Sequence, residues 1–115
     1  MTKHLLFLLK PGFNDDQGGP FFCPDCAALE GFLSYVPEVA NQLDIRRVAF
    51  QRPRHELIAE LGAANQGCPV LVLAETTNQP PEAKCSEETG KAFISGSTAI
   101  SDYLGRIFSV ARPHA

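Results

Sequence analysis

The chain has 115 residues, 44% hydrophobic and 20% charged, which is the size and composition of one globular domain and too little for two. A chain of this length buries enough surface for a core of its own, so its four cysteines are not needed as staples. Ten Lys and Arg against thirteen Asp and Glu give a net charge of −3, which argues against nucleic acid bound through its phosphate backbone.

The first element in chain order is the apolar run from His4 to Lys10, ended by Pro11-Gly12, which predicts a short buried strand. Its Leu5–Leu9 segment is too short for a signal peptide or a membrane span. The expectation is therefore a cytoplasmic protein with no membrane partner. In that reducing setting, closely spaced cysteines point to catalysis or metal binding more than to structural disulfides. Residues 11–22 are polar and Gly-rich and are expected to form a mobile surface loop.

Cys23 can cap a helix that opens on Pro24, where a missing N–H costs nothing, and Leu29, Phe32, Leu33 and Val36 follow at helical spacing. Pro37 ends or restarts that helix. Ile45–Phe50 predicts a second strand, Pro53 a helix carrying Leu57, Ile58 and Leu61 and ending near Gly62, and Pro69–Ala74 a third strand buried on both faces. A long polar hairpin or excursion over 75–89 precedes a fourth strand at Lys91–Ile94. Gly96 or Ser97 then starts a last helix with Ile100, Leu104, Ile107 and Phe108 on one face, and 111–115 is a tail.

The order β-α-β-α-β-β-α makes the chain an α/β protein with a central mixed four-stranded sheet. Strands separated by helical segments are expected to pair in parallel, and the direct β-β connection makes the last strand antiparallel.

The chemistry concentrates at Cys23-Pro24-Asp25-Cys26. A thiol at a helix start meets unpaired backbone N–H groups and the positive end of the helix dipole, which favour the thiolate, while the neighbouring Asp25 carboxylate opposes it. Cys26, one turn further in, is placed to resolve a mixed disulfide on Cys23. Two structural or metal-binding cysteines are the competing reading. A zinc ribbon, however, asks for a second C-x-x-C about 15 to 20 residues on, and the remaining cysteines, Cys68 and Cys85, stand alone.

Charge is unevenly laid out as well: residues 11–44 hold six acids and no base, and 45–54 hold Arg46, Arg47, Arg52 and Arg54 and no acid. Arg52 and Arg54 read either as part of an anion site, through the fork geometry of guanidinium, or as a solvated pair. Ser97 reads as an ordinary helix cap or as a ligand contact. His55 reads as an exposed residue, and the aromatics Phe13, Phe21 and Phe22 read as loop anchors or rim contacts. Cys68 reads as a buried small residue, a third redox thiol or a ligand.

Three matches in order resemble the thioredoxin-like superfamily, nearest to glutaredoxins and the N-terminal domain of glutathione transferases. They are Cys23-Pro24-Asp25-Cys26 at a helix start, Pro69 after Cys68 at the start of the third strand, and Ser97-Thr98-Ala99-Ile100 with Tyr103-Leu104. The chain also resembles an uncharacterised bacterial family of that fold through Lys10-Pro11-Gly12-Phe13, the Cys-Pro pair and Arg52-Pro53-Arg54.

The resemblance covers nearly the whole chain and implies a single thioredoxin-like domain over 1–115. It implies a cis Pro69 facing the cysteines, with the Cys68 backbone beside Cys23. It further implies that Ser97 and Thr98 hold a glutathione carboxylate at the last helix, with Arg52 and Arg54 near its other end. The function it implies is a thiol-disulfide oxidoreductase with Cys23 and Cys26 as the reacting pair. No bound cofactor is implied, but glutathione is, as reductant or ligand, with a disulfide-containing protein or a glutathione-like small thiol as partner. The alternatives are a non-enzymatic binding module of the same fold, taking a peptide or a small anionic thiol, and a metal site built from Cys23, Cys26, Cys68 and Cys85.

Overall fold

A computed structural model describes residues 3–75 and 78–114. The elements are β1 (Leu5–Leu9), β2 (Phe13–Asp15), β3 (Gly18–Phe21), α1 (Pro24–Tyr35), α2 (Pro37–Ala40), β4 (Asp44–Val48), α3 (His55–Leu61), β5 (Val70–Val72), β6 (Lys84–Cys85), β7 (Ala92–Ser95) and α4 (Ser97–Phe108). Five strands form one mixed sheet in the order β4-β1-β5-β7-β6, flanked by helices, so the protein is α/β.

The three inner strands are the most apolar segments of the chain. Every residue of β1 is buried, as are Val70–Ala74. Side chains alternate between faces along a strand, so burial at every position means that both faces are covered. Helix α4 lies against β5, β7 and α1, and α3 adds Leu57 and Leu61 to the same continuous core. Exposed Arg46 and Arg47 sit on β4 at one edge, and the polar β6 forms the other, which blunts both edges against pairing with another chain.

Three expectations are corrected. The sheet has five strands because the polar excursion contributes β6, paired antiparallel to β7 with Lys84 opposite Phe93. That excursion is also anchored: buried Ser86 donates its hydroxyl to the Leu61 carbonyl, and Glu88 accepts the N–H groups of Ala63 and Ala64, which follow α3. Residues 76–77 of the excursion and 115 of the tail lie outside the described residues.

The second correction concerns 11–22, which is a β2–β3 hairpin. Its Phe13 ring stacks on Phe50 at 4.2 Å between centroids and 2° between planes, and Gly12 N–H donates to the Phe21 carbonyl. An aromatic side chain at the strand start supplies the anchor that the polar turn lacks.

Third, β4 runs parallel to β1 as expected, but β5 runs antiparallel to it, Leu6 opposite Leu71, although a helix separates β5 from β4. Pairing direction depends on the end at which the chain enters the sheet, and the 62–69 connection delivers β5 to the end where β1 finishes.

Candidate functional site

Antiparallel pairing of β5 with β1 and β7 brings one set of ends together. Val70 at the start of β5 lies opposite Phe7 on one side and Ser95 on the other, and Gly96 N–H donates to the Pro69 carbonyl. The end of β1, the start of β5 and the end of β7 with the start of α4 therefore share one end of the sheet, and α1 begins there too.

Cys23 caps α1 in extended geometry, with Pro24 in the first turn. Its Sγ accepts the Cys26 N–H at 3.1 Å, so the sulfur takes the place of a capping oxygen, and a negative sulfur would strengthen that bond. The residue is half-buried and borders a cavity of about 170 Å³ lined by Leu9, Pro11, Phe22, Cys23, Cys26, Ala27 and Glu30. Phe22 is 61% exposed and stands at the rim.

Cys26 is buried beneath Cys23, its Sγ accepting the Leu9 N–H at 3.5 Å. Burial pushes its thiol up to about 12, and hydrogen bonding to Cys23 adds to the rise, against a smaller opposing effect of Leu9 N–H. Both cysteines thus border the cavity, Cys23 half-buried and Cys26 buried with its thiol held protonated. Glu30 on the cavity wall takes a two-pronged contact from Arg47 at 2.7 and 2.8 Å, which holds its carboxyl below the usual range.

The Cys68–Pro69 peptide bond is cis, as the resemblance implies, and so are Gly19–Pro20 and Arg52–Pro53. Cys68 is half-buried and close enough to Cys23 for their charges to interact. Burial pushes its thiol up to about 11, and the Arg54 guanidinium pulls the other way.

Arg54 is only 7% exposed, and each of its three side-chain nitrogens donates to a backbone carbonyl: Nε and Nη2 to Phe50 at 2.9 and 2.5 Å, Nη1 to Gln66 at 2.7 Å. It ties the loop after β4 to the loop before Cys68. Its place as an anion ligand is thereby taken by main-chain oxygens, although its charge still acts on Cys68, Cys26 and Cys23. Arg52 is exposed, as is His55.

Ser97 is the first residue of α4 and does not cap it. Its N–H donates to Asp25 Oδ2 at 3.1 Å and its hydroxyl to Asp25 Oδ1, so a residue between the two cysteines caps a helix 72 positions away. Thr98 is exposed on the next position. In the sequence Asp25 shows only a charge that opposes the thiolate. No spacing rule pairs the two, and the one available signal was a carboxylate beside a helix start and a serine beside another.

Cys85 lies on β6, with its Sγ 3.7 Å from Gln79 Oε1, and is exposed at the edge of the sheet. This removes the four-cysteine metal site: among the described residues, no three His, Cys, Asp or Glu side chains are grouped to hold a metal ion.

The sequence profile of a family described as a protein of unknown function, DUF3088, matches residues 3–112. The chain belongs to the DUF3088 family. No curated protein and no solved structure matches it. Family membership therefore brings no activity with it. Among the described residues, no helix is long and apolar enough to cross a membrane.

Proposed function

We propose that this chain is a thiol-disulfide oxidoreductase of glutaredoxin-like type on a thioredoxin-like fold. The observation that supports the reading is the asymmetry of the pair: Cys23 caps α1 and is half-buried at a cavity, and Cys26, on the same cavity, is buried with its thiol at about 12.

In this mechanism the Cys23 thiolate attacks one sulfur of a substrate disulfide. A Cys23–substrate disulfide forms, the substrate S–S bond breaks, and the leaving thiolate takes up a proton. Cys26 then loses its proton and attacks Cys23 Sγ, which releases the second substrate thiol and leaves a Cys23–Cys26 disulfide. The substrate gains two electrons and the protein loses two. A thiol reductant such as glutathione would restore the dithiol. The cis Cys68–Pro69 bond and the half-buried Cys68 border the reacting end, and a disulfide-bearing protein or a small thiol is the partner class.

Redox titration in glutathione buffers, read by differential alkylation and mass spectrometry, should show a Cys23–Cys26 disulfide that opens reversibly. Cys26→Ser should accumulate a mixed disulfide on Cys23. A pair that stays reduced across all buffers would sink the proposal. Exposed Phe22 at the cavity rim favours one second reading, a binding module whose cysteines titrate without turnover. Reductase-coupled turnover of a small disulfide separates the two, and its absence alongside a reversible disulfide would favour the module.

A further inference from the structure

Helix α1 carries a glycine that the chain's own packing does not call for. A glycine inside a helix is destabilising relative to alanine. At Gly105, inside α4, one is required, because the Arg112 stem lies against that position and leaves no room for a side chain. At Gly31, inside α1, an added Cβ would meet no other part of the chain within 4 Å. The space kept open there belongs to a second cavity, of about 460 Å³, between the Ala27-to-Tyr35 face of α1 and the tail at 111–114. The tail is fixed as its other wall: Val110 N–H donates to the Gly105 carbonyl, and Arg112 Nη1 donates to Asp102 at 3.1 Å.

Ala27 lines this cavity and the Cys23 cavity alike, so the two adjoin along α1. Tyr35 is 86% exposed on the groove, and exposed aromatics of this kind are enriched where polypeptides meet. Arg112 and His114 line the groove, and among the described residues no acidic side chain does, although 11–44 carries six acids and no base. The Asp102 contact takes one of the five N–H donors of Arg112. Length separates the partner classes. From Cys23 to Tyr35 the helix rises about 18 Å. An extended chain covers that in about five or six residues, whereas the three of glutathione reach about 10 Å.

We propose that the groove between α1 and the tail binds an extended, apolar segment of a disulfide-bearing protein, with an acidic side chain set against Arg112, while the cysteine of that segment engages Cys23. The inference rests on the exchange reading of Cys23 and narrows its partner from small thiols to polypeptides.

The test uses a peptide of leucine and glutamate long enough to span the groove on either side of a central cysteine, and the tripeptide Gly-Cys-Gly. Cys26→Ser protein is equilibrated with both in glutathione buffer. Glutathione disulfide is the oxidant: a Cys23–peptide disulfide forms and two glutathione molecules are released. Mass spectrometry reads the ratio of the two adducts. The long peptide should be favoured about tenfold or more, the worth of one buried leucine. Gly31→Gln, which fills the groove, and Tyr35→Ser should each bring the ratio back towards one, and exchanging glutamate for lysine in the peptide should lower it. A ratio near one without these substitutions, or a preference that survives Gly31→Gln, overturns the proposal. Should Gly31→Gln fail to fold, Tyr35→Ser, at an exposed position, decides alone.

If Cys23 forms no adduct with either peptide, the exchange reading fails, and the groove is still decided by titrating the serine form of the long peptide against the Gly31 and Tyr35 amides by NMR, where no shift overturns the proposal. Loss of a native dimer in Gly31→Gln with the adduct ratio unchanged would give the face to a second copy of the chain and likewise overturn it.

Discussion

Iodoacetamide should sort the cysteines of the native, reduced protein into a fixed order. Alkylation proceeds through the thiolate, so the rate at neutral pH scales with the thiolate fraction. At pH 7 a thiol at 9.0 is about 1% thiolate, and Cys26 at about 12 is about 0.001%, a deficit of about a thousandfold. Cys68 at about 11 falls short about a hundredfold by the same reasoning. Poor access to the sulfur slows Cys26 further, since it lies beneath Cys23 in the core. Exposed Cys85 and the cavity-facing Cys23 should therefore react first, Cys68 later and Cys26 last.

The assay labels native protein with light iodoacetamide for increasing times, quenches, unfolds, and labels the remainder with the heavy reagent for mass spectrometry. Unfolding first in concentrated guanidinium is the perturbation. Burial is lost, and the four rates should converge to within a few-fold. The reasoning is refuted if native Cys26 is consumed as fast as Cys85, because burial would then not be holding its proton.

Arg54→Met should lower unfolding stability by about 3 kcal/mol, since charged hydrogen bonds to the Phe50 and Gln66 carbonyls are lost, as read by urea denaturation. The same variant should slow Cys68 alkylation further, and an unchanged rate would show that the guanidinium does not act on that sulfur. Phe13→Ala removes the stack on Phe50, a contact worth about 1 kcal/mol, and should speed proteolysis within 13–21 while leaving cleavage elsewhere unchanged.

Stability should also depend on His4. Its Nδ1 accepts the Ala74 N–H at 2.9 Å, and burial holds its pKa below the ordinary 6.5. The unfolded chain takes up a proton at 6.5 that the folded chain resists, so this contribution is full above 6.5 and is lost as pH falls below it. Denaturation midpoints of native protein and His4→Gln should converge as pH falls from 7.5 to 5.5, and a constant gap would refute the linkage.

The legible part of the fold was local. Runs such as Leu5–Leu9 and Val70–Leu73 cannot be solvated at low cost and cannot be helices at that length, so they announced buried strands. Pro24 after Cys23 announced the helix start that gives the dithiol its geometry, whereas the place of Cys68-Pro69 beside it came from the resemblance and not from any local pattern. The hairpin over 13–21 was hidden because its stabilising contact is Phe13 on Phe50, a pairing no local pattern encodes. Strand β6 was hidden because two residues, Lys84 and Cys85, carry no periodicity.

By itself, then, the sequence determined which segments become strands and helices and which two cysteines share one helical turn, because those outcomes follow from hydrophobic periodicity and backbone chemistry over a few neighbouring residues. Tertiary structure alone decided that β5 runs antiparallel to β1, that Arg54 is spent on carbonyls, and that Asp25 caps α4 at Ser97. The strand pairing, the Arg54 contact to the Gln66 carbonyl and the Asp25 cap join separate stretches of chain, fixed only when the packed core brings the ends of β1, β5 and β7 together.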